Sequence, residues 1–171
     1  MTQRPITDFW LLPQSRLGYY GAFPYGFLER ARWLLGAGEQ DAVLHVCSGA
    51  VRSYPYRGFG PNDRTLDTLL AVGPDYCQDA LQPLPAGPWH AILIDPPYTE
   101  EDAKRYSTST YPSPKLLLEN AAAVLSQGGR IGLLHYYLPS FDKKLLRLVA
   151  QVAVVGGCNR KIRLFSVLEV K

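Results

Sequence analysis

The chain is poor in several things, and each shortage excludes a class of protein. It has only three cysteines, Cys47, Cys77 and Cys158, far apart and in no C-x-x-C spacing. That excludes a disulfide framework and a thiolate zinc site, and it suits a reducing cytoplasm. No apolar run approaches the ~20 residues that cross a bilayer, so no membrane partner is expected. The start, Met1-Thr2-Gln3-Arg4-Pro5, leads into no signal-peptide core. Charge of one sign is also scarce. Eighteen Lys and Arg against fifteen Asp and Glu leave a net +3, which permits a polyanionic partner without demanding one. There is no internal repeat and no low-complexity tract. His45, His90 and His135 each lie in or beside an apolar stretch and read as packed side chains, so no metal site is expected.

With 171 residues and 47% hydrophobic content, the chain can form one domain with a sizeable core. Residues 1–21 are mixed, broken by Pro5, Pro13 and Gly18, and read as an N-terminal extension. Residues 22–35 carry apolar side chains at helical spacing and stop at Gly36 and Gly38. Strands are expected at 42–47, 64–67, 75–77, 91–94, 131–137, 152–155 and 162–170, with helices at 114–125 and, with a basic face, at 141–150. Strands alternating with helices imply a parallel sheet covered on both faces. The last two strands, joined by a short polar turn, should be antiparallel.

The most telling segment is Asp95-Pro96-Pro97-Tyr98, directly after Ala91-Ile92-Leu93-Ile94. Proline lacks an N–H and fixes φ, so neither strand nor helix continues through Pro96-Pro97. The acid and the tyrosine are held on a stiff loop at the carboxyl end of a strand, where open α/β sheets bind ligands. A carboxylate, rigid backbone carbonyls and an aromatic face suit the capture of a flat, amine-bearing ring.

These four residues resemble the catalytic motif of the S-adenosylmethionine-dependent amino-methyltransferases, which methylate exocyclic amines of nucleobases. The resemblance spans about residues 22–170 and implies a fold for the whole of 22–171. That fold is Rossmann-like class I methyltransferase: α/β, a mostly parallel seven-stranded sheet with one antiparallel strand near its end, and helices on both faces. It implies a catalytic role for Asp95, Pro96, Pro97 and Tyr98, and S-adenosylmethionine as cofactor. Cys47-Ser48-Gly49, ending the strand at 42–47, resembles the family's glycine loop, although Ala50-Val51 follows where a second glycine is usual. Asp67, eighteen residues past Gly49, resembles the ribose-binding acid, ahead of Asp75 because it ends a strand. Asp79 and Ala80 resemble the adenine contact. Phe23, Pro24 and Tyr25 resemble the segment opening the family's first helix, where backbone N–H groups favour the methionine carboxylate. Taken singly, Gly49 serves equally as a turn residue, Asp67 as a helix cap and Asp79 as a surface acid. It is their order along the chain that joins them.

Loops at the same sheet edge carry Arg52, Arg57, Lys104, Arg105, Arg160, Lys161 and Arg163, with Tyr54, Tyr56, Tyr106 and Tyr111 interleaved. Arginines for phosphates and tyrosines for bases suit a nucleic acid, and Arg52, Arg57, Tyr98, Lys104, Arg105, Arg160 and Lys161 are the expected substrate contacts. The initial Asp resembles the adenine N6 enzymes and also some guanine N2 enzymes, so adenine N6 is ranked first; DNA is expected ahead of RNA as the partner. Guanine N2 of ribosomal RNA is the second enzyme reading. A catalytically silent nucleic-acid-binding subunit is the third, suggested by the missing second glycine. No separate target-recognition region is visible, which leaves room for a homodimer or a separate specificity partner.

Overall fold

The computed structural model describes residues 4–15, 18, 21–53, 57–106, 111–156 and 161–171. In chain order the elements are Ile6–Leu12 (β1), Phe27–Leu34 (α1), Val43–Val46 (β2), Arg64–Asp67 (β3), Tyr76–Cys77 (β4), Ala91–Ile94 (β5), Glu100–Arg105 (α2), Pro114–Ala123 (α3), Arg130–His135 (β6), Leu146–Gly156 (β7) and Ile162–Val170 (β8). The strands form one sheet in the order β1-β7-β8-β6-β5-β2-β3-β4. Every neighbouring pair is parallel except β6/β8 and β7/β8, so β8 is the antiparallel strand.

β2 and β5 are buried at every position, as expected for central parallel strands covered on both faces. Their side chains alternate between two cores. On one face Val43, Ala91 and Leu93 meet Phe27, Leu28, Ala31 and Leu34 of α1, with Phe165 and Val167 of β8. On the other face Leu44, Val46, Ile92 and Ile94 meet Leu117, Leu118, Ala121 and Ala122 of α3. Thus one helix covers each face and leaves the carboxyl ends of the central strands open.

Three expectations are corrected. The sheet has eight strands, because Ile6–Leu12 adds an edge strand to β7. Ile, Thr, Phe and Trp favour a strand, and Trp10 and Leu12 turn inward. The helix at 141–150 does not form. Residues 138–145 are irregular, and β7 begins at Leu146. It carries Val149, Val152, Val154 and Val155 and lies between β8 and β1, so both sides of its backbone are hydrogen-bonded. His90 is exposed rather than packed, its Nε2 2.8 Å from the Gly36 carbonyl. His45 and His135 are buried as expected.

Residues 58–63 are tied to α1 and β2 by a buried ionic cluster. Arg32 on α1 donates to both Asp63 oxygens at 2.9 Å and to the Gly38 and Asp41 carbonyls, and His45 Nε2 lies 2.9 Å from Asp63. Burial alone would raise the Asp63 pKa. The His45, Gly60 and Arg32 hydrogen bonds more than reverse that, and the carboxyl titrates below its ordinary value.

Candidate active site

A parallel sheet sends the loop after each strand to one edge, and an antiparallel strand starts at that edge. The loops after β1, β2, β3, β4, β5 and β6, together with the start of β8, therefore converge. Between them lies a cavity of about 640 Å³.

One end of the cavity is backbone-rich. Cys47, after β2, holds φ +54°, the only positive value of a non-glycine among the described residues, and Gly49 holds φ +49°. The Gly49 N–H donates to Asp67 Oδ2 at 2.8 Å, and the Leu69 N–H donates to Asp67 Oδ1 at 2.9 Å. The Asp67 carboxylate is thus held against the glycine loop, with lone pairs left on both oxygens. Asp79 accepts the Leu81 N–H at 2.9 Å through Oδ1, a bond that fixes its loop. Phe23, Pro24, Ser48 and Ala80 complete this end. Burial, then the charges of Asp67, Asp95 and Asp79, push the Cys47 thiol far above its ordinary pKa, so it stays a neutral thiol. Tyr25 does not line the cavity; its N–H donates to the Pro13 carbonyl and ties this segment to the end of β1.

The other end is built on Asp95–Tyr98. The Asp95 N–H donates to the Val46 carbonyl at 3.1 Å, so the loop departs directly from the β2/β5 ladder. Pro96 and Pro97 are buried. The Tyr98 hydroxyl donates to Asp95 Oδ1 at 2.5 Å. Its ring stands 4.9 Å from Tyr136 and edge-on to His135 at 5.5 Å. Arg163, near the start of β8, lines the same cavity, and its positive charge favours the ionised forms of Asp95 and Tyr98. Burial raises the Asp95 carboxyl to about 6, against the lowering effects of the Tyr98 bond and the Arg163 charge. Burial and the Asp95 charge hold Tyr98 well above its ordinary pKa, so its phenol remains a donor.

Of the expected substrate cations, Lys161 lines the cavity. Arg52 is turned to Asp75, with which it forms an ion pair outside the cavity, and Asp75 also accepts the Thr65 N–H at 2.7 Å. Arg57 and Lys104 are exposed and do not line it, and Arg105 pairs with Glu101 at 3.0 Å along α2. Arg160, Tyr54 and Tyr56 lie outside the described residues. Tyr136, Asp102, Gln14, Ser15 and Gly18 also line the cavity without a motif to mark them, and Arg163, expected only on the rim, lines it too. The antiparallel direction of β8 was the signal for Arg163, since it turns the strand's first residues toward the ligand edge. Among the described residues no His, Cys, Asp and Glu cluster is arranged to hold a metal, and no helix is long and apolar enough to cross a membrane.

No protein-family model and no curated protein matches the chain. Solved structures do match. TrmN from Thermus thermophilus aligns with a TM-score of 0.60 and 20% identity over 89% of this chain, which spans 50% of that one. The N-methyltransferase NodS from Bradyrhizobium japonicum WM9, in complex with S-adenosyl-L-homocysteine, aligns at 0.55 with 14% identity over 83% of this chain and 86% of that one. An rRNA methylase from Streptococcus thermophilus aligns at 0.52 with 11% identity over 87% of this chain and 99% of that one. The chain has the fold of the class I S-adenosylmethionine-dependent methyltransferases, with a strand added at one edge.

Proposed function

We propose that this protein is an S-adenosylmethionine-dependent methyltransferase that methylates the exocyclic N6 amine of adenine in DNA. The observation that carries the reading is that Asp95-Pro96-Pro97-Tyr98 and the Gly49, Asp67 and Asp79 loops line one cavity.

The donors and acceptors present fit the cofactor. Asp67 has lone pairs for a ribose diol, Asp79 has a free carboxylate oxygen for an adenine amine, and Gly49 presents backbone without a side chain. When bound, S-adenosylmethionine supplies an electrophilic methyl group whose sulfur keeps the pair of the broken bond. Asp95 and the Pro96 carbonyl each accept one amine hydrogen, which localises the nitrogen lone pair that is otherwise spread into the ring. That nitrogen forms the new bond to carbon, and its extra proton leaves to water afterwards, so no strong base is required. The catalysis is positioning and electrostatics. Tyr98 stacks on a base turned out of its strand.

The test is to incubate the protein with isotopically labelled S-adenosylmethionine and separate pools of duplex DNA, single-stranded DNA and total RNA, then to identify labelled nucleosides by mass spectrometry. Labelled N6-methyladenine from DNA is expected, with loss of labelling in a folded Asp95→Ala variant. Labelled N2-methylguanine from RNA would move the reading to the ribosomal substrate, which the likeness to an rRNA methylase keeps in view. Absence of cofactor binding at millimolar concentration would favour the silent subunit.

A further inference from the structure

The cavity carries an aromatic side chain that neither the motif nor the cofactor loops account for. Tyr136 follows His135, the last residue of β6, and lines the cavity beside Tyr98. The two ring centroids stand 4.9 Å apart with their planes inclined at 51°. The rings therefore form a corner rather than a stack. A flat ring laid on one of them meets the other at an angle, and aromatic pairs favour both offset-stacked and edge-to-face contacts. Tyr136 is 39% exposed, so its ring is not used up in packing. Tyr137, the next residue, is more exposed at 49% and does not line the cavity. Of these two neighbours, the chain thus turns one toward the motif.

The corner is held from behind. His135 is buried, and its Nδ1 accepts the Tyr137 N–H at 3.4 Å. In the neutral ring this leaves the hydrogen on Nε2, which lies 3.0 Å from the Tyr111 hydroxyl. The same imidazole meets Tyr98 edge-on at 5.5 Å. The segment before α3, the loop after β6 and the motif loop are so fastened to one buried ring. A tyrosine held in this way offers contact area at little cost in conformational entropy.

We propose that Tyr136 is a substrate-binding residue, the second aromatic face of the acceptor subsite, and that with Tyr98 it receives the flat ring whose amine meets Asp95. This rests on the reading of Asp95–Tyr98 as the amine-binding motif. The acceptor class it selects is a nucleobase, because every base has a π-face broad enough to engage both rings, whereas a side-chain amide is too small to cover them.

The first test needs no turnover. Binding of a single-stranded oligodeoxyadenylate is compared with binding of an equally long strand made of abasic sites, both in saturating S-adenosylhomocysteine. The wild type, Tyr136→Phe and Tyr136→Leu are measured, with Tyr136→Gln in reserve should the Leu variant fail to fold. The wild type should prefer the base-bearing strand. Tyr136→Phe should keep that preference within about twofold, and Tyr136→Leu should lose about tenfold of it while binding the abasic strand unchanged. Equal weakening on both strands, an undiminished preference in Tyr136→Leu, or a wild type that does not distinguish the strands would overturn the proposal. The second test is turnover. The KM for nucleic acid should rise in Tyr136→Leu while the KM for S-adenosylmethionine stays as in wild type, and a rise confined to the cofactor would overturn the proposal. If the wild type transfers no methyl group to any acceptor, the reading of the function fails, while the comparison of strands still decides what Tyr136 does.

Discussion

Asp95, the proposed amine acceptor, is a residue whose burial costs the fold. Its carboxyl titrates near 6 because burial disfavours the charge. The folded pKa therefore lies above the unfolded value of about 4, so stability is lost as pH rises between the two and stays lost at neutral pH. Asp95→Asn should then raise stability at pH 7 by about 1–2 kcal/mol while abolishing methyl transfer, as active-site charges often do when removed. Thermal denaturation at pH 7 and pH 4 checks it: the gain should be present at the higher pH and shrink at the lower. If Asp95 accepts the amine as proposed, the same carboxyl should set the acid limb of the wild-type profile, with kcat/KM falling as pH drops through about 6. Asp63 behaves in the opposite sense. Its pKa is depressed, so its contribution is present above about 4 and lost as pH falls through the lower folded value. Asp63→Asn should cost about 3–5 kcal/mol at pH 7, because it leaves Arg32 buried without its partner, and the difference from wild type should narrow in acid. Chemical denaturation at the two pH values measures this.

At the scale of elements, what the sequence shows depends on whether the signal is local. The strands at 64–67, 91–94 and 162–170 stand where their β-branched and apolar residues put them. The start of α2 was also local, since Thr99 accepts the Asp102 N–H and its hydroxyl returns a bond to the Asp102 side chain, yet a six-residue helix has too few apolar positions to show a period. β1 and β7 were not local. Ile6–Leu12 pairs with residues about 144 positions away in the chain. At 141–150 a helical spacing of leucines and lysines competes with strand pairing, and partners on both sides of β7 decide for the strand. The edge strand is part of the core rather than an appendage, because Trp10 is buried with its ring 6.3 Å from Phe27 and 6.2 Å from Phe165. Trp10→Ala should therefore cost about 3–5 kcal/mol, measurable as a shift in denaturation midpoint with little change in slope. A loss below about 1 kcal/mol would mean that β1 is only loosely attached.

For the whole molecule, the legible part of the candidate site is the part written in short motifs. Asp95–Tyr98, Cys47–Gly49, Asp67 and Asp79 all reach the cavity from separate loops, as a parallel sheet requires. The cations were harder to place, because charge along a chain does not say which way a side chain turns. Arg52 spends its charge on Asp75 and Arg105 on Glu101, whereas Lys161 and Arg163 face the cavity. Lys161→Ala should accordingly weaken nucleic-acid binding and reduce the salt dependence by about one phosphate contact, while Arg52→Ala leaves the salt slope unchanged. Binding isotherms at several salt concentrations separate the two. The central claim is tested most directly by following label from S-adenosylmethionine into DNA. The account predicts labelled N6-methyladenine made by the wild type and lost in a folded Asp95→Ala variant. Wild-type-like labelling by that variant, or no labelled nucleoside from any DNA or RNA pool, would contradict it.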